Sequence, residues 1–103
     1  MIGDNLIGKK VIARGSASGV YYGTLIAREG QEVELADARN IWYWEGAASV
    51  MQIAVDGIVG VQNIQDSKIT MPVESIVLTD IIEIIACSEE SIARINSVPV
   101  WRI

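Results

Sequence analysis

Arg39-Asn40-Ile41-Trp42-Tyr43-Trp44-Glu45-Gly46-Ala47-Ala48-Ser49 is the stretch that decides how this chain folds. Aromatic residues favour a pleated, half-buried surface, so Trp42-Tyr43-Trp44 predicts the end of a β-strand. Gly46-Ala47-Ala48-Ser49 then predicts the opening of a short helix. An arginine-bearing strand running straight into a helix N-terminus gathers a cation, flat stacking surfaces and backbone N–H groups at the positive end of a dipole. Phosphate-bearing ligands suit that combination. The same aromatics equally suit the core of a small β-domain. Only alternate residues of a strand share a face, so Trp42 and Trp44 are expected on one side and Tyr43 on the other.

Upstream, residues 8–14 and 20–28 predict two strands separated by the Gly/Ser segment 15–19. That segment suits a turn. As a phosphate cradle it lacks the Lys-Ser/Thr ending of a P-loop. Gly23, inside the second strand, predicts a bulge or a close backbone approach. Residues 29–31 read as a turn, and 32–35 alternate charged and apolar side chains at period two. Asp37-Ala38-Arg39-Asn40 is expected to bend or interrupt the chain before the aromatic strand. Consecutive antiparallel strands with short turns predict a small bent sheet or barrel-like meander, because rolling up removes exposed edges.

Downstream, Val50, Met51, Ala54 and Val55 lie near helical spacing, so residues 47–55 predict a short helix stopped by Gly57. Residues 58–67 show no period and predict a loop, mobile or in contact with another subunit, and leave open whether it closes over a pocket as a lid. A short strand at 68–71 is checked by Pro72. Residues 76–87 predict one long strand buried on both faces, which calls for a second layer or a second subunit. A homo-oligomer, dimer or tetramer, is therefore expected. Ser88 caps a helix over 89–96, with Glu89 and Glu90 in its first turn and Ile92, Ala93 and Ile95 inward. The tail at 98–103, with Trp101-Arg102, is expected to dock on its own domain or a neighbour. The fold class expected is α+β, mostly β, as a single domain over 1–103 with two short helices.

The 103 residues are 50% hydrophobic, enough for one modest core. Without an 18-residue apolar run no membrane span is expected. Met1-Ile2-Gly3-Asp4-Asn5 lacks the order of a signal peptide, so a cytoplasmic location is expected. A net charge of −5 argues against long nucleic acids but permits a small anionic nucleotide held by a few cations. The single Cys87 excludes an intrachain disulfide and a cysteine-based metal site. Histidine is absent, and with it the commonest general base and metal ligand. No enzymatic activity, cofactor or metal is expected. Asp80 and Glu83, three apart on a predicted strand, face opposite ways and read as solvated or interfacial charges. Asp37 and Glu45 flank the aromatic strand and are candidates to orient Arg39.

The cations suited to ligand phosphates are Arg14, Arg28, Arg39, Lys68 and Arg102. Tyr21, Tyr22, Trp42, Tyr43 and Trp44 are the stacking candidates. Gly46, Ala47 and Ser49 supply the backbone donors.

Gly8-Lys9-Lys10-Val11-Ile12, Gly19-Val20-Tyr21-Tyr22-Gly23-Thr24-Leu25, the Trp42-Tyr43-Trp44-x-Gly46-Ala47 core and Val98-Pro99-Val100-Trp101 resemble a family of small proteins carried by phages and prophages. The resemblance is to viral sponge proteins that sequester nucleotide second messengers of bacterial anti-phage immunity. It implies non-catalytic capture of a cyclic dinucleotide or cyclic ADP-ribose signal, in pockets between subunits, in the host cytoplasm. Asn40 follows Arg39 where the pattern would carry a second arginine, which leaves the ligand open. Residues 23–38 are also similar to the strand-turn-strand core of Sm-like small barrels, implying an RNA-binding ring; the acidic balance and the helix over 47–55 oppose it. A structural or assembly role in a phage particle is a third reading. Capture at Arg39 and Trp42 predicts that alanine at either position abolishes binding and leaves the fold intact.

Overall fold

The computed structural model describes residues 1–59 and 66–103. The middle of the expected 58–67 loop, and with it any lid, lies outside the described residues. After a single 3-10 turn at Asp4–Leu6, β1 (Lys10–Gly15), β2 (Val20–Glu29) and β3 (Glu32–Tyr43) form an antiparallel meander. Helix α1 (Val50–Asp56) follows, then β4 (Lys68–Ile69), β5 (Val73–Leu78), β6 (Ile81–Ala86) and α2 (Glu89–Asn96). The architecture is α+β and mostly β, an open antiparallel sheet of six strands with two helices.

Strand β5 pairs with the first half of β3, β4 pairs with its end, and β6 pairs with β1 at the far side. Only Thr79 and Asp80 connect β5 to β6. Three Cα steps reach at most ~11 Å. In a flat sheet the four intervening strand spacings would hold the two edges about 19 Å apart. The sheet must therefore curl until its edges approach. The backbone N–H of Ile81 donates to the Gln31 carbonyl across the remaining gap, 3.1 Å.

Curling gives the sheet two cores. Val11, Ala13, Leu25, Leu35, Leu78 and Ile81 fill the concave side. Ile12, Tyr22 and Ile41 face outward and are covered by Ile53 of α1 and Ile95 of α2. Val11, Ile12 and Ala13 are therefore all buried although successive side chains alternate faces.

The long strand expected over 76–87 is instead two strands. Asp80 breaks it, because its carboxylate accepts from the Ala17 and Ser18 N–H groups (2.7 and 2.8 Å) and from both serine hydroxyls of the 15–19 loop, Ser16 and Ser18. That loop is an oxyanion cradle after all, filled by the chain's own carboxylate. The chain itself buries Leu78 and Ile81 of this segment, while Val77 and Ile82 stay exposed. The Ser18 hydroxyl and these N–H groups hold the Asp80 carboxyl below its usual range. A depressed folded-state pKa stabilises above the ordinary carboxylate value, and the gain is lost as pH falls through the lower value. Asp80→Ala is thus expected to lower Tm at pH 7, and the gap from the parent protein to close progressively below about pH 4. A gap independent of pH would contradict the charge-assisted cradle.

The expected interruption at residues 37–40 is a bulge within one continuous strand. Asp37 takes φ 49° there, and pairing slips between Tyr22 and Thr24. Gly23 permits it: a Cβ at that position would lie 3.0 Å from the Ala36 carbonyl oxygen. Helix α1 starts three residues later than expected, behind Ser49 as N-cap, and stops at Gly57 as expected. Helix α2 and its Ser88 cap fall where the sequence placed them, but its inner face is Ser91 and Ile95, with Ala93 exposed. The buried Ser91 hydroxyl donates to the Ile53 carbonyl and joins the helices, 2.6 Å.

Candidate functional site

At the end of β3 the pairing with β4 slips, so that Ile41 faces Ile69 and Tyr43 faces Lys68. Trp42 is the extra residue, and a bulge re-aims its neighbours. The expected alternation fails here. Ile41 and Trp44 both pack against the outer core, while Trp42 (62% exposed) and Tyr43 (43%) both reach solvent.

The tail completes this surface. Val100 bridges Ile69 in parallel, and the Trp101 N–H donates to the Ile69 carbonyl, 2.9 Å. The tail thus docks on its own domain, one of the two outcomes expected. Trp101 stacks on Trp42 with centroids 5.1 Å apart and planes at 23°. The Lys68 ammonium stands 5.3 Å from the Trp42 ring, 5.6 Å from Trp101 and 6.0 Å from Tyr43. The Tyr43 hydroxyl donates to Glu45, 2.7 Å, which raises its pKa. Three aromatic rings and one ammonium thus share an exposed face. Such rings offer stacking planes, and the ammonium an anion contact.

The other expected site residues divide. Arg102 is exposed beside Trp101. Trp44 and Ala47 pack against the outer core, and the Trp44 indole donates to the Ala47 carbonyl. Gly46 turns the chain at φ 88° and its carbonyl accepts from Val59. At the N-terminus of α1, Ser49 accepts from the Gln52 N–H, and the Gln52 side chain accepts from the Ala48 N–H. Those N–H groups are not available to a phosphate. Tyr21 lies on the opposite face, against the concave core.

Arg39 is 6% exposed and does not join the aromatic face. Its guanidinium donates to four backbone carbonyls: Thr70 from Nε (2.7 Å), Ile95 from Nη1 (3.0 Å), and Ile69 and Val98 from Nη2 (3.3 and 3.1 Å). One of these acceptors, Ile95, lies in the last turn of α2, at the negative end of its dipole. Asp37 and Glu45 make no ion pair with it among the described residues. Of the remaining candidate cations, Arg14 pairs with Glu83 at 2.5 Å and Arg28 donates to the Ile2 carbonyl.

Beside Arg39 opens a cleft of about 430 Å³ between the strands and the tail, which Lys10, Tyr22, Asp37 and Asn96 also line. Burial pushes the Tyr22 hydroxyl up to about 12, so it stays protonated and donates to Asn96, 2.9 Å. Burial likewise lifts Cys87 to about 11, leaving an unreactive thiol.

Residues 8–95 match the family described as Domain of unknown function (DUF6948). The chain belongs to this family. No curated protein and no solved structure matches it. The DUF6948 match contains Trp42, Tyr43 and Lys68, whereas Trp101 and Arg102 lie beyond it. Trp101 escaped the sequence-derived site because its ring meets Trp42 only through the bridge to β4. Pro99 and the Trp-Arg pair after it were the available signal for a docked tail.

Proposed function

We propose that this DUF6948 protein captures a small nucleotide of the cyclic-dinucleotide or cyclic ADP-ribose class and holds it without converting it. The observation that carries this is the exposed Trp42–Trp101 stack beneath the Lys68 ammonium, 5.1 Å between rings and 5.3 Å to the cation. A base stacks on an open indole face, and a phosphate oxygen meets Lys68, with Arg102 next to the ring. Base–aromatic stacking contributes ~1–3 kcal/mol per base. The resemblance to phage-borne sponge proteins supplies the ligand class. A histidine-free sequence suits holding better than turnover. Exposed Val77 and Ile82 on the two edge strands suit a second copy of the chain, which would place paired ligand faces in one assembly.

A second reading rests on the curled sheet, whose strand order suits a small RNA-binding barrel. A net charge of −5 weighs against it. Native mass spectrometry of the protein with cyclic di- and trinucleotides and cyclic ADP-ribose isomers separates the readings. An oligomer carrying intact ligand in fixed ratio is expected. Indifference to the whole panel would refute capture. Steeply salt-dependent binding of single-stranded oligonucleotides would favour the barrel reading.

A further inference from the structure

Three adjacent strands bring Lys10, Tyr22 and Arg39 to one face. Ile12 pairs with Tyr22 across β1 and β2, and Tyr22 pairs with Arg39 across β2 and β3. Lys10 precedes Ile12 by two residues and so shares its side. Tyr22, buried, forms the floor of the cleft, and the Lys10 ammonium stands 5.3 Å from its ring.

A guanidinium has five N–H donors. Four of those on Arg39 are bonded to carbonyls, and the second Nη1 hydrogen has no protein partner among the described residues. No carboxylate pairs with either Arg39 or Lys10 among those residues. Asp37 is the one acidic residue in the cleft wall, so two cations and one carboxylate leave a charge of +1 there. The chain as a whole carries −5. A buried cation without a counter-ion is unfavourable, and an entering anion relieves it. Pro72, Val98 and Val100 supply an apolar wall beside the charges.

We propose that this cleft is a binding site for a phosphorylated small molecule, its phosphate between Lys10 Nζ and the free Nη1 donor of Arg39 and its organic part against Val98 and Val100. None of Trp42, Tyr43, Lys68 and Trp101 lines it, so its lining is distinct from the aromatic surface. A volume of about 430 Å³ suits a ligand of that size.

The test is an NMR titration of the 15N-labelled full chain with inorganic phosphate and with phenyl phosphate. Shifts are expected at Lys10, Arg39 and Asn96, with phenyl phosphate binding tighter because of the apolar wall. Lys10→Ala should weaken binding about tenfold, the effect of one charge-assisted contact. Asp37→Asn should tighten it severalfold, since asparagine tolerates the left-handed backbone there. No shift at the cleft, or an affinity indifferent to Lys10→Ala, overturns the proposal. Shifts confined to Lys68 and Trp101 also overturn it, and leave nucleotide capture at the aromatic surface standing.

Discussion

Arg39→Ala is expected to destabilise the protein by about 3–5 kcal/mol, the range for removing one partner from a buried charged network. For a domain of this size that lowers Tm by roughly 12 °C or more, readable by calorimetry or circular dichroism. The reason is where the four carbonyls sit. Thr70 and Ile69 belong to the β4 region, Ile95 to the end of α2 and Val98 to the tail. One side chain of β3 therefore ties together three segments far apart in sequence, and no strand ladder could do so. Truncation strands buried acceptors at the edge of the outer core, each costing about 1–3 kcal/mol if water cannot reach it. Arg39→Lys keeps the charge but loses the planar fork, so it should recover only a minor part of the loss. An alanine variant as stable as the parent would show that the clamp carries no weight, and would return Arg39 to the role of a dispensable ligand contact.

This outcome reverses what the sequence suggests for Arg39, and the reason is general. Local rules see neighbours along the chain, and they read Ser88, Gly57, Gly23 and Pro72 correctly because each acts within a few residues. Backbone carbonyls at positions 69, 70, 95 and 98 leave no trace in the sequence around Arg39. The segment 76–87 misleads for the same reason. Thr79-Asp80 carries no glycine or proline to mark a turn, and its partner is a loop more than sixty residues earlier in the chain. The aromatic triplet was legible as a strand end, but period two assumes an unbroken ladder. The slip opposite Lys68 turns Trp42 and Tyr43 to solvent together and sends Trp44 inward. Lys68 was legible as a candidate by charge alone; what unites it with Trp42 and Trp101 is the pairing of β4 with both β3 and the tail.

Trp42→Ala and Trp101→Ala are each expected to weaken nucleotide capture about 5- to 150-fold, the equivalent of ~1–3 kcal/mol for a lost stacking plane. Because the rings touch, the double variant should lose less than the product of the two single effects. Removing either ring already leaves the other unsupported and takes away one of the three rings that Lys68 stands over. Stability separates this from a packing defect. Trp42 is 62% exposed and Trp101 41%, so neither truncation opens a core cavity. Trp42→Ala should leave Tm within about 2 °C of the parent, as for a surface substitution. Trp101→Ala should loosen the tail beyond Val98, which stays buried. Calorimetric titration with the ligand found by mass spectrometry, alongside melting of each variant, reads both quantities. Full affinity in Trp42→Ala would show that the aromatic surface is not where the nucleotide sits, whereas lost affinity with an unchanged melt would place the base on these rings, since the scaffold beneath them would be intact.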